Sequence, residues 1–494
     1  MTATQQAMTE PAEAAALGRV PDQLFIGGSW HDAEGGRRFA VEDPATGAVL
    51  REIADASPLD SLAALHAAAA AQTSWAATPP RERSDILRRA FDAVTARAEE
   101  FALLITLEMG KPLAESRAEV AYGAEFLRWF SEEAVRIGGG YQVAPHGATR
   151  LLTMKQPVGP CLLITPWNFP LAMGTRKIGP AVAAGCTMVV KPAPQTPLTM
   201  LALADVLAEA GLPAGVLNVV TTTAAAEITE ALITDPRLRK LSFTGSTAVG
   251  SALVAQSAKR LLRVSMELGG NAPFLVFDDA DLDAAVEGAM LAKMRNAGEA
   301  CTAANRFLVH TSVAEEFSHR LADRMFSLTV GRGTEQGVQV GPLIDASARK
   351  RVDALVKDAV ARGSRLLTGG GAVGEHGHFY APTVLADIPA DAQMLSEEIF
   401  GPVAPVTRFT EESEALQLAN GTDAGLVAYV FTRDLSRALR VCEGLETGMV
   451  GLNQGLVSNP AAPFGGVKSS GLGREGGAQG IDEYLEVKYV GIQH

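Results

Sequence analysis

Two spacings of apolar residues divide the chain into a helical part and a part of alternating strands and helices. Leu24–Trp30 predicts a short strand that runs into a glycine turn, and residues 60–76, 80–109 and 115–137 predict helices. Gly138–Gly140 ends the third of these helices. Within the second helix, the apolar residues recur at the spacing of one helix face: Ile86, Leu87, Ala90, Phe91 and Val94.

Short apolar runs separated by helix-like sequence follow from residue 158. This pattern is typical of the βαβ units of a buried parallel sheet. A second block of the same kind contains a helix over 314–330 and later strands near Leu385 and at Val427–Phe431. We therefore predict an α/β fold with two domains that meet near residue 270. The remaining runs are Val158–Ile164, Thr187–Val190, Val216–Val220 and Lys240–Phe243 in the first block, and Ala272–Phe277 and Arg306–Val309 in the second.

The size and composition of the chain agree with this picture. A chain of 494 residues exceeds what one core usually supports, so two or three domains are expected. The first twenty residues are rich in Ala and Glu and are expected to form a mobile arm. A net charge of −13 argues against binding to nucleic acid or to an anionic membrane surface.

The cysteines and the N-terminus indicate a cytoplasmic protein. The four cysteines are scattered and form no C-x-x-C pair, which argues against structural zinc and against a disulfide framework. The N-terminal residues lack a basic segment followed by an apolar one, so no signal peptide is predicted. No apolar run approaches the roughly 20 residues of a membrane span.

Two short segments carry the candidate covalent chemistry. Glu267 lies in Met266–Gly270, a carboxylate beside two glycines, and Cys301 ends the small-residue segment Asn296–Cys301. A thiolate is the strongest side-chain nucleophile near neutral pH, and a carboxylate can activate the water that later releases the product. Together they indicate chemistry at a carbonyl carbon. The alternative for Cys301 is a buried inert thiol, but its polar neighbours disfavour apolar packing.

Three further motifs lie where predicted strands end, which is where open α/β sheets bind ligands. Asn168, in Pro166–Pro170, could direct its amide at a developing oxyanion, or it could cap backbone in a rigid turn. Lys191 could reach ribose hydroxyls or a phosphate, although a solvated lysine is the more common outcome. Gly245–Gly250 opens a predicted helix and would let backbone N–H groups approach a phosphate, although a plain strand-to-helix turn explains it equally well.

In this order along the chain, the motifs closely resemble those of the aldehyde dehydrogenase superfamily. The similarity extends over nearly the whole chain from about residue 24. The matching segments are Pro166–Pro170, Lys191–Ala193, Phe243–Ser246, Met266–Gly270, Gly298–Cys301, Glu397–Pro402, Pro463–Lys468 and Gly471–Glu475.

The resemblance implies a fold, a set of domains and a mechanism. It implies a Rossmann-like cofactor-binding domain over 21–139 and 159–267, an α/β catalytic domain over 268–470, and oligomerisation strands over 140–158 and 471–494 that would build a homodimer or homotetramer. Cys301 would be the nucleophile, Glu267 the general base, and Asn168 an oxyanion donor. No metal is implied. NAD or NADP would be held by Trp167, Lys191, Ala193, Pro194, Gly245, Ser246, Leu268, Glu398 and Phe400.

Within the superfamily, the chain most resembles the succinate-semialdehyde dehydrogenases. In that family two arginines and a serine hold the substrate carboxylate, and the matching residues here are Arg176, Arg295 and Ser458. A guanidinium binds a carboxylate with two parallel hydrogen bonds, which suits this task. The alternatives are that either arginine merely pairs with a nearby acid, or that the substrate is glutarate semialdehyde or a neutral aldehyde. A catalytically silent structural relative is a further alternative.

Three departures from the family pattern modify these expectations. Pro194 stands where many NAD-preferring members carry a glutamate that repels a 2′-phosphate, so NADP is expected to be favoured. Ala303 stands where some relatives have a second cysteine, so the corresponding redox switch is expected to be absent. Glu299 precedes the nucleophile by two residues and would tend to raise the pKa of its thiol.

Overall fold

The computed structural model describes residues 10–493 and contains two large sheets, each covered by helices. The first sheet has eight strands, of which the central five are parallel. From one edge to the other the strands are Ser29–His31, Leu24–Ile26, Leu217–Val219, Met188–Lys191, Cys161–Ile164, Lys240–Thr244, Arg263–Glu267 and Gly471–Leu472. The predicted α/β fold class is confirmed.

Nine helices precede the second sheet along the chain. They are Glu10–Arg19, Pro58–Ala77, Pro80–Ala96, Ala98–Met109, Leu113–Glu133, Pro170–Ala184, Leu198–Glu209, Ala225–Thr234 and Thr247–Ala258 within the described range 10–493. The one helix expected over 80–109 is thus two helices that meet at Arg97, whose backbone is not helical. The reason is that every residue of 101–109 is buried, whereas the helix before it buries only one stripe. One straight helix could not bury a single stripe over its first part and every residue over 101–109.

The N-terminal arm differs from the expectation over residues 10–19, which form a helix rather than a mobile segment. Ala16 and Val20 are buried in the main core cluster. Glu13 accepts two hydrogen bonds from Arg332, at 3.0 and 2.8 Å, and this pair ties the helix to the second half of the chain. Alanine-rich sequence favours helix, and one buried face then attaches it. Residues 1–9 of the expected arm lie outside the described residues.

The second sheet has seven strands, and the inner pairs are parallel. In order across the sheet they are Arg365–Thr368, Thr383–Ala386, Val403–Phe409, Ala304–His310, Ala272–Val276, Val427–Phe431 and Met449–Leu452. The strands expected near Leu385 and at Val427–Phe431 are confirmed. The α-helices of this half are Leu282–Met294, Thr311–Phe326, Ala346–Ala361, Glu412–Asn420 and Leu435–Gly444, and Gln479–Asp482 lies near the C-terminus.

Three smaller sheets complete the fold. One is antiparallel and consists of Leu485–Gln493, Thr149–Pro157 and Gly140–Val143, which lie within the expected oligomerisation segments. Gly471–Leu472 was placed in those segments by the sequence, but it pairs with Met266–Glu267 at the edge of the first sheet. The chain after residue 470 therefore first adds a strand to the edge of the first large sheet, and then forms a strand of the small sheet. The remaining strand pairs are Arg38–Glu42 with Val49–Ala54 and Ala424–Gly425 with Val467–Lys468.

The two large sheets meet end to end. The chain leaves the first sheet at Glu267 and enters the second at Ala272, so only four residues, 268–271, connect them. The carboxyl ends of the first sheet's parallel strands therefore lie close to the amino ends of strands in the second. This junction is where the residues singled out by the sequence come together.

Candidate active site

Three of the predicted residues lie at one edge of the first sheet because of its register. Ile164 pairs with Lys191, and Thr244 pairs with Glu267, so these parallel strands end side by side. The turn that follows Ile164 carries Asn168, which is 4% exposed. The carboxyl ends of the strands thus supply an amide, an ammonium and a carboxylate to the same edge, as the sequence predicted.

The nucleophile loop enters this edge from the second sheet through three residues with left-handed backbone. Asn296, Ala297 and Gly298 have φ values of 55°, 51° and 77°. A Cβ atom at Gly298 would lie 2.2 Å from the carbonyl oxygen of Gly401, so only glycine fits there. These residues turn the chain sharply between the helix Leu282–Met294 and the strand that begins at Ala304. The result is that Cys301 lies in a short loop at the amino end of that strand.

Hydrogen bonds join this loop to the turn that carries Asn168. The amide nitrogen Nδ2 of Asn168 donates to the carbonyl oxygen of Glu299 at 3.0 Å. The Asn296 side chain donates to the carbonyl oxygens of both Asn168 and Glu299, at 3.1 and 2.9 Å. A primary amide has two N–H donors, so Asn168 keeps one for a ligand near Cys301. This geometry is compatible with an oxyanion donor.

The thiol and the carboxylate both have strongly shifted pKa values. Burial raises the pKa of the Cys301 thiol to about 12, although Arg176 opposes the shift. Burial and the nearby Glu475 raise the pKa of Glu267 well above its usual range. Oε2 of Glu267 is buried and has no hydrogen-bond partner among residues 10–493. A carboxylate with a raised pKa is a stronger base, which suits proton abstraction from water.

Glu299 does not act as the sequence predicted. Its fully buried carboxyl accepts a hydrogen bond from the backbone N–H of Ile344 at 3.1 Å. Burial raises the pKa of Glu299 well above its usual range. The nearby acids that raise the pKa of Cys301 most are instead Glu267 and Glu398.

Behind Glu267 lies a buried ionic cluster that the sequence analysis missed. Glu475 pairs with Arg176 at 2.5 Å and with Lys177 at 2.5 Å. The side chains of both basic residues are at most 1% exposed. The guanidinium of Arg176 also lies 4.1 Å from the ring centre of Phe464. The sequence signals for this cluster were Arg176 and the motif Gly471–Glu475, and neither signal indicated that the two lie together.

Arg176 therefore has an acid partner, which was the alternative left open for it. Its Nη2 atom is nevertheless buried without a hydrogen-bond partner among the described residues. It also belongs to the charged groups that lower the pKa of Cys301. The structure places Arg176 close to the nucleophile, and its role toward a substrate stays a prediction.

A channel of 820 Å³ has the other two predicted substrate residues in its wall. Nη1 of Arg295 lies 3.4 Å from Oγ of Ser458, a weak hydrogen bond that links them across 163 residues. The Arg295 guanidinium lies 4.6 Å from the ring centre of Phe169. Much of the remaining wall is apolar and includes Tyr122, Met290, Leu291, Met294, Leu328 and Leu456. The wall also carries Glu115, Glu119 and the pair of Arg324 with Glu287, so an anionic group would find its cation, unpaired among residues 10–493, at Arg295.

The predicted cofactor residues cluster on another side of the junction. Trp167 and Phe400 pack edge to face across the two halves of the chain, with ring centres 5.4 Å apart. Oε1 of Glu398 accepts the backbone N–H of Gly270 at 3.2 Å, and burial raises the pKa of Glu398 to about 7. A cavity of 1240 Å³ adjoins Gly269, Gly270 and Glu398.

The first sheet supplies groups that fit the phosphates and sugars of a dinucleotide. Ser246 is exposed at the start of the helix Thr247–Ala258, and no side chain caps that helix, so its first N–H groups are free. Lys191 is 5% exposed, and its ammonium group donates only to the carbonyl oxygen of Pro192 at 3.0 Å among described residues. Gly245, Leu268, Ala193 and Pro194 lie on the same strand-end turns.

Two features are absent within residues 10–493. No cluster of three or more His, Cys, Asp or Glu side chains could hold a metal ion. Among these residues, no helix is both long and apolar enough to cross a bilayer.

The fold and the site together define an enzyme of the covalent thiol type, and comparison with known proteins gives its family. The model of the aldehyde dehydrogenase family matches residues 30–490. The chain is 63% identical to a succinate-semialdehyde dehydrogenase of Paenarthrobacter nicotinovorans, over 90% of this chain and 99% of the relative. It is 48% identical to a glutarate-semialdehyde dehydrogenase of Pseudomonas aeruginosa, over 95% and 97% of the two chains.

A solved structure is also similar to this chain over nearly its whole length. The crystal structure of an NADP-dependent enzyme from Escherichia coli matches with a TM-score of 0.95 and 48% identity. The match covers 99% of this chain and 100% of that one. The chain belongs to the aldehyde dehydrogenase family, and it is an oxidoreductase.

Proposed function

We propose that the chain oxidises succinate semialdehyde to succinate with NADP or NAD as the oxidant. The observation that carries the proposal is the pair formed by Arg295 and Ser458 in the channel wall, near the loop that holds Cys301. The name of the Paenarthrobacter relative supports it. The free thiol that this chemistry requires also favours a reducing compartment such as the cytoplasm.

In the first half of the proposed reaction, the sulfur of Cys301 attacks the aldehyde carbon. The attack forms a hemithioacetal, and the second amide proton of Asn168 stabilises the negative charge that develops on oxygen, together with the backbone N–H of Cys301. A donor of this kind is worth about 3–4 kcal/mol. Because burial raises the pKa of Cys301 to about 12, the thiol gives its proton to solvent water during the attack rather than before it. Bound NAD(P)⁺ supplies the acceptor for the hydride.

In the second half, Glu267 takes a proton from water, and the water attacks the thioester carbonyl carbon. The bond between that carbon and the Cys301 sulfur breaks, and the acid leaves. The raised pKa of Glu267 makes its carboxylate a suitable base for this step. The Asn168 amide donates a hydrogen bond to the oxyanion of the second tetrahedral intermediate, as it does to that of the first.

The substrate carboxylate is held by Arg295, with Ser458 as a second donor. A charge-assisted hydrogen bond contributes about 1.5–3 kcal/mol, and the apolar channel wall strengthens it. Nη2 of Arg176, buried and unpartnered among the described residues, is available to a ligand close to Cys301. Its pairing with Glu475 makes it the weaker of the two carboxylate partners.

Glutarate semialdehyde is the second candidate substrate. The channel volume of 820 Å³ leaves room for an additional methylene group. The Pseudomonas relative is named for that substrate and is 48% identical. One methylene in an apolar channel changes transition-state binding by only about 1–3 kcal/mol, so both substrates are expected to react.

NADP is the proposed preferred cofactor. Burial lowers the pKa of Lys191 to about 8, and within residues 10–493 no carboxylate forms an ion pair with it. A 2′-phosphate would supply the missing anion. Pro194 offers no carboxylate to repel that phosphate, and the Escherichia coli enzyme in the comparison is NADP-dependent.

The small antiparallel sheet is the proposed contact to a second copy of the chain. Both faces carry partly or fully exposed apolar residues, and the larger set lies on the face of Tyr141, with Val143, Leu152, Met154, Val490 and Ile492, opposite Val487 and Tyr489. Both edges of the sheet, at Gly140–Val143 and Leu485–Gln493, have no further strand partner within the described chain. Exposed apolar faces and open edges favour association.

Replacing Glu267 with Gln tests the assignment of the base. The amide cannot take a proton from water, so the first hydride transfer should survive while thioester hydrolysis stops. Rapid-mixing measurements should show a burst of NADPH close to one per site, followed by a steady rate at least about 100-fold below the wild-type rate. A normal steady-state rate would remove Glu267 from this role.

Replacing Arg295 with Met tests the carboxylate site. Loss of the guanidinium should lower kcat/KM for succinate semialdehyde about 10- to 100-fold, since one charge-assisted hydrogen bond is lost. For butanal, which has no carboxylate, kcat/KM should change less than about threefold. Arg324, which lines the same channel but pairs with Glu287, is the matched control. Equal losses on both aldehydes would contradict the assignment.

The pH dependence of cofactor choice tests Lys191. Its ammonium form, which binds the 2′-phosphate, dominates below pH 8 and is lost as the pH rises through its pKa of about 8. The ratio of KM for NADP to KM for NAD should therefore rise by up to about tenfold between pH 7 and 9. In a Lys191→Met variant the ratio should be flat. A flat ratio in the wild-type enzyme would refute the contact.

Substitution of Tyr141 by Asp tests the oligomer. Tyr141 is 64% exposed on the apolar face, and a charge there should shift the protein toward the monomer in light scattering after gel filtration. Gln142 is exposed on the opposite face, so Gln142→Asp is the matched control and should leave the oligomer intact. An oligomer that tolerates both changes would exclude this face.

A further inference from the structure

A fully buried ion pair lies behind the turn that carries Asn168. Nζ of Lys111 is 2.6 Å from Oε2 of Glu119, and their side chains are 1% and 0% exposed. Lys111 lies between two helices, and Glu119 lies on the second of them, Leu113–Glu133. Neither residue belongs to the motifs that pointed to the active site.

The pair holds the Asn168 turn at two points. Lys111 donates to the carbonyl oxygen of Asn168 at 2.7 Å. Oε1 of Glu119 accepts the backbone N–H groups of Leu171 and Ala172, at 3.0 and 3.3 Å. These N–H groups belong to the first turn of the helix Pro170–Ala184, which has no cap from the residue that precedes it. The carbonyl end and the helical end of the turn are therefore attached to one buried salt bridge.

The aromatic residue between these two points is held as well. The Phe169 ring centre lies 3.9 Å from the Lys111 ammonium and 4.6 Å from the Arg295 guanidinium. The Asn296 amide donates to the same Asn168 carbonyl oxygen at 3.1 Å. The backbone of Asn168 thus has little freedom to rotate, and the hydrogen bond from its Nδ2 to the Glu299 carbonyl oxygen sets the direction of the side chain.

We propose that Lys111 and Glu119 are positioning residues, which fix the Asn168 amide at the place where the oxyanion forms. Neither touches the reacting atoms, and both act through the Asn168 backbone. The inference rests on the proposed role of Asn168 as an oxyanion donor. A displacement of about 1 Å in such a group can cost about 100-fold in rate.

A double-mutant cycle tests this proposal in the full-length enzyme. In the wild-type background, Lys111→Met should lower kcat for succinate semialdehyde by about 10- to 100-fold with little change in KM. In an Asn168→Ala background the same change should cost less than about twofold, because the donor that Lys111 orients is already gone. The Lys111→Met/Glu119→Gln double variant leaves no unpaired buried charge and should show the same pattern if the single variant folds poorly.

Thr106→Val serves as the matched control for packing. Oγ1 of Thr106 is 2.8 Å from Oγ of Ser116, a buried contact between the same two helices that does not reach Asn168. This variant should keep its kcat. The rate of Cys301 alkylation by iodoacetamide should also be unchanged in Lys111→Met, because the thiol itself does not move.

The outcomes distinguish a failure of the positioning role of Lys111 and Glu119 from a failure of the oxyanion role of Asn168. If Asn168→Ala is impaired and Lys111→Met costs the same factor in both backgrounds, the pair is merely structural and the positioning role is overturned. If Asn168→Ala keeps full kcat, the oxyanion assignment fails, and the inference fails with it. Loss of kcat in Thr106→Val as large as that in Lys111→Met would likewise overturn the proposal.

Discussion

Contact between backbones at the junction of the two sheets sets the position of every group in the site. A Cβ atom on Gly270 would lie 2.6 Å from the carbonyl oxygen of Cys301, and one on Gly269 would lie 2.8 Å from Oε2 of Glu398. The contact at Gly270 is with backbone and leaves no room for a side chain, so the loop of Cys301 can approach only because residue 270 is glycine. The approach brings this loop against the strand end that carries Glu267. The relative position of Cys301 and Glu267 therefore depends on an absent side chain.

Burial shifts the pKa values of the ionisable groups around this junction more than their ion pairs do. Glu475 gathers Arg176 and Lys177 into one cluster, and its charge adds to burial in raising the pKa of Glu267. A buried ionic cluster contributes little to stability compared with apolar packing of the same volume. Its members act on Glu267 in opposite directions, because Glu475 raises the pKa of that carboxyl group while Arg176 and Lys177 lower it. The cluster also leaves Arg176 as a partly neutralised cation next to the thiol.

The sequence predicted the fold class well, because it depends on short local patterns, and the same patterns brought the predicted reacting residues to the strand ends. Strand ends could be located from apolar runs, and parallel strands place their carboxyl ends at one edge. The partners of these residues could not be found in the same way. Lys177 and Glu475 are 298 residues apart, and Lys111 and Asn168 are 57 apart. Such contacts depend on how helices pack, and a single sequence carries no spacing signal for them.

The errors also have a physical pattern. The sequence predicts an electrostatic effect of Glu299 on Cys301 from its nearness along the chain, yet its carboxyl group accepts a hydrogen bond from the N–H of Ile344, and burial raises its pKa. Distance in sequence does not measure distance between charges, and burial disfavours the charged form of a carboxyl group.

The protonated state of Cys301 follows from the same reasoning. Burial disfavours the thiolate, and the acids Glu267 and Glu398 disfavour it further, while Arg176 favours it with a charge that Glu475 partly balances. A resting thiol is a poor nucleophile, so reactivity must arise when the substrate and cofactor fill the site and alter its charges.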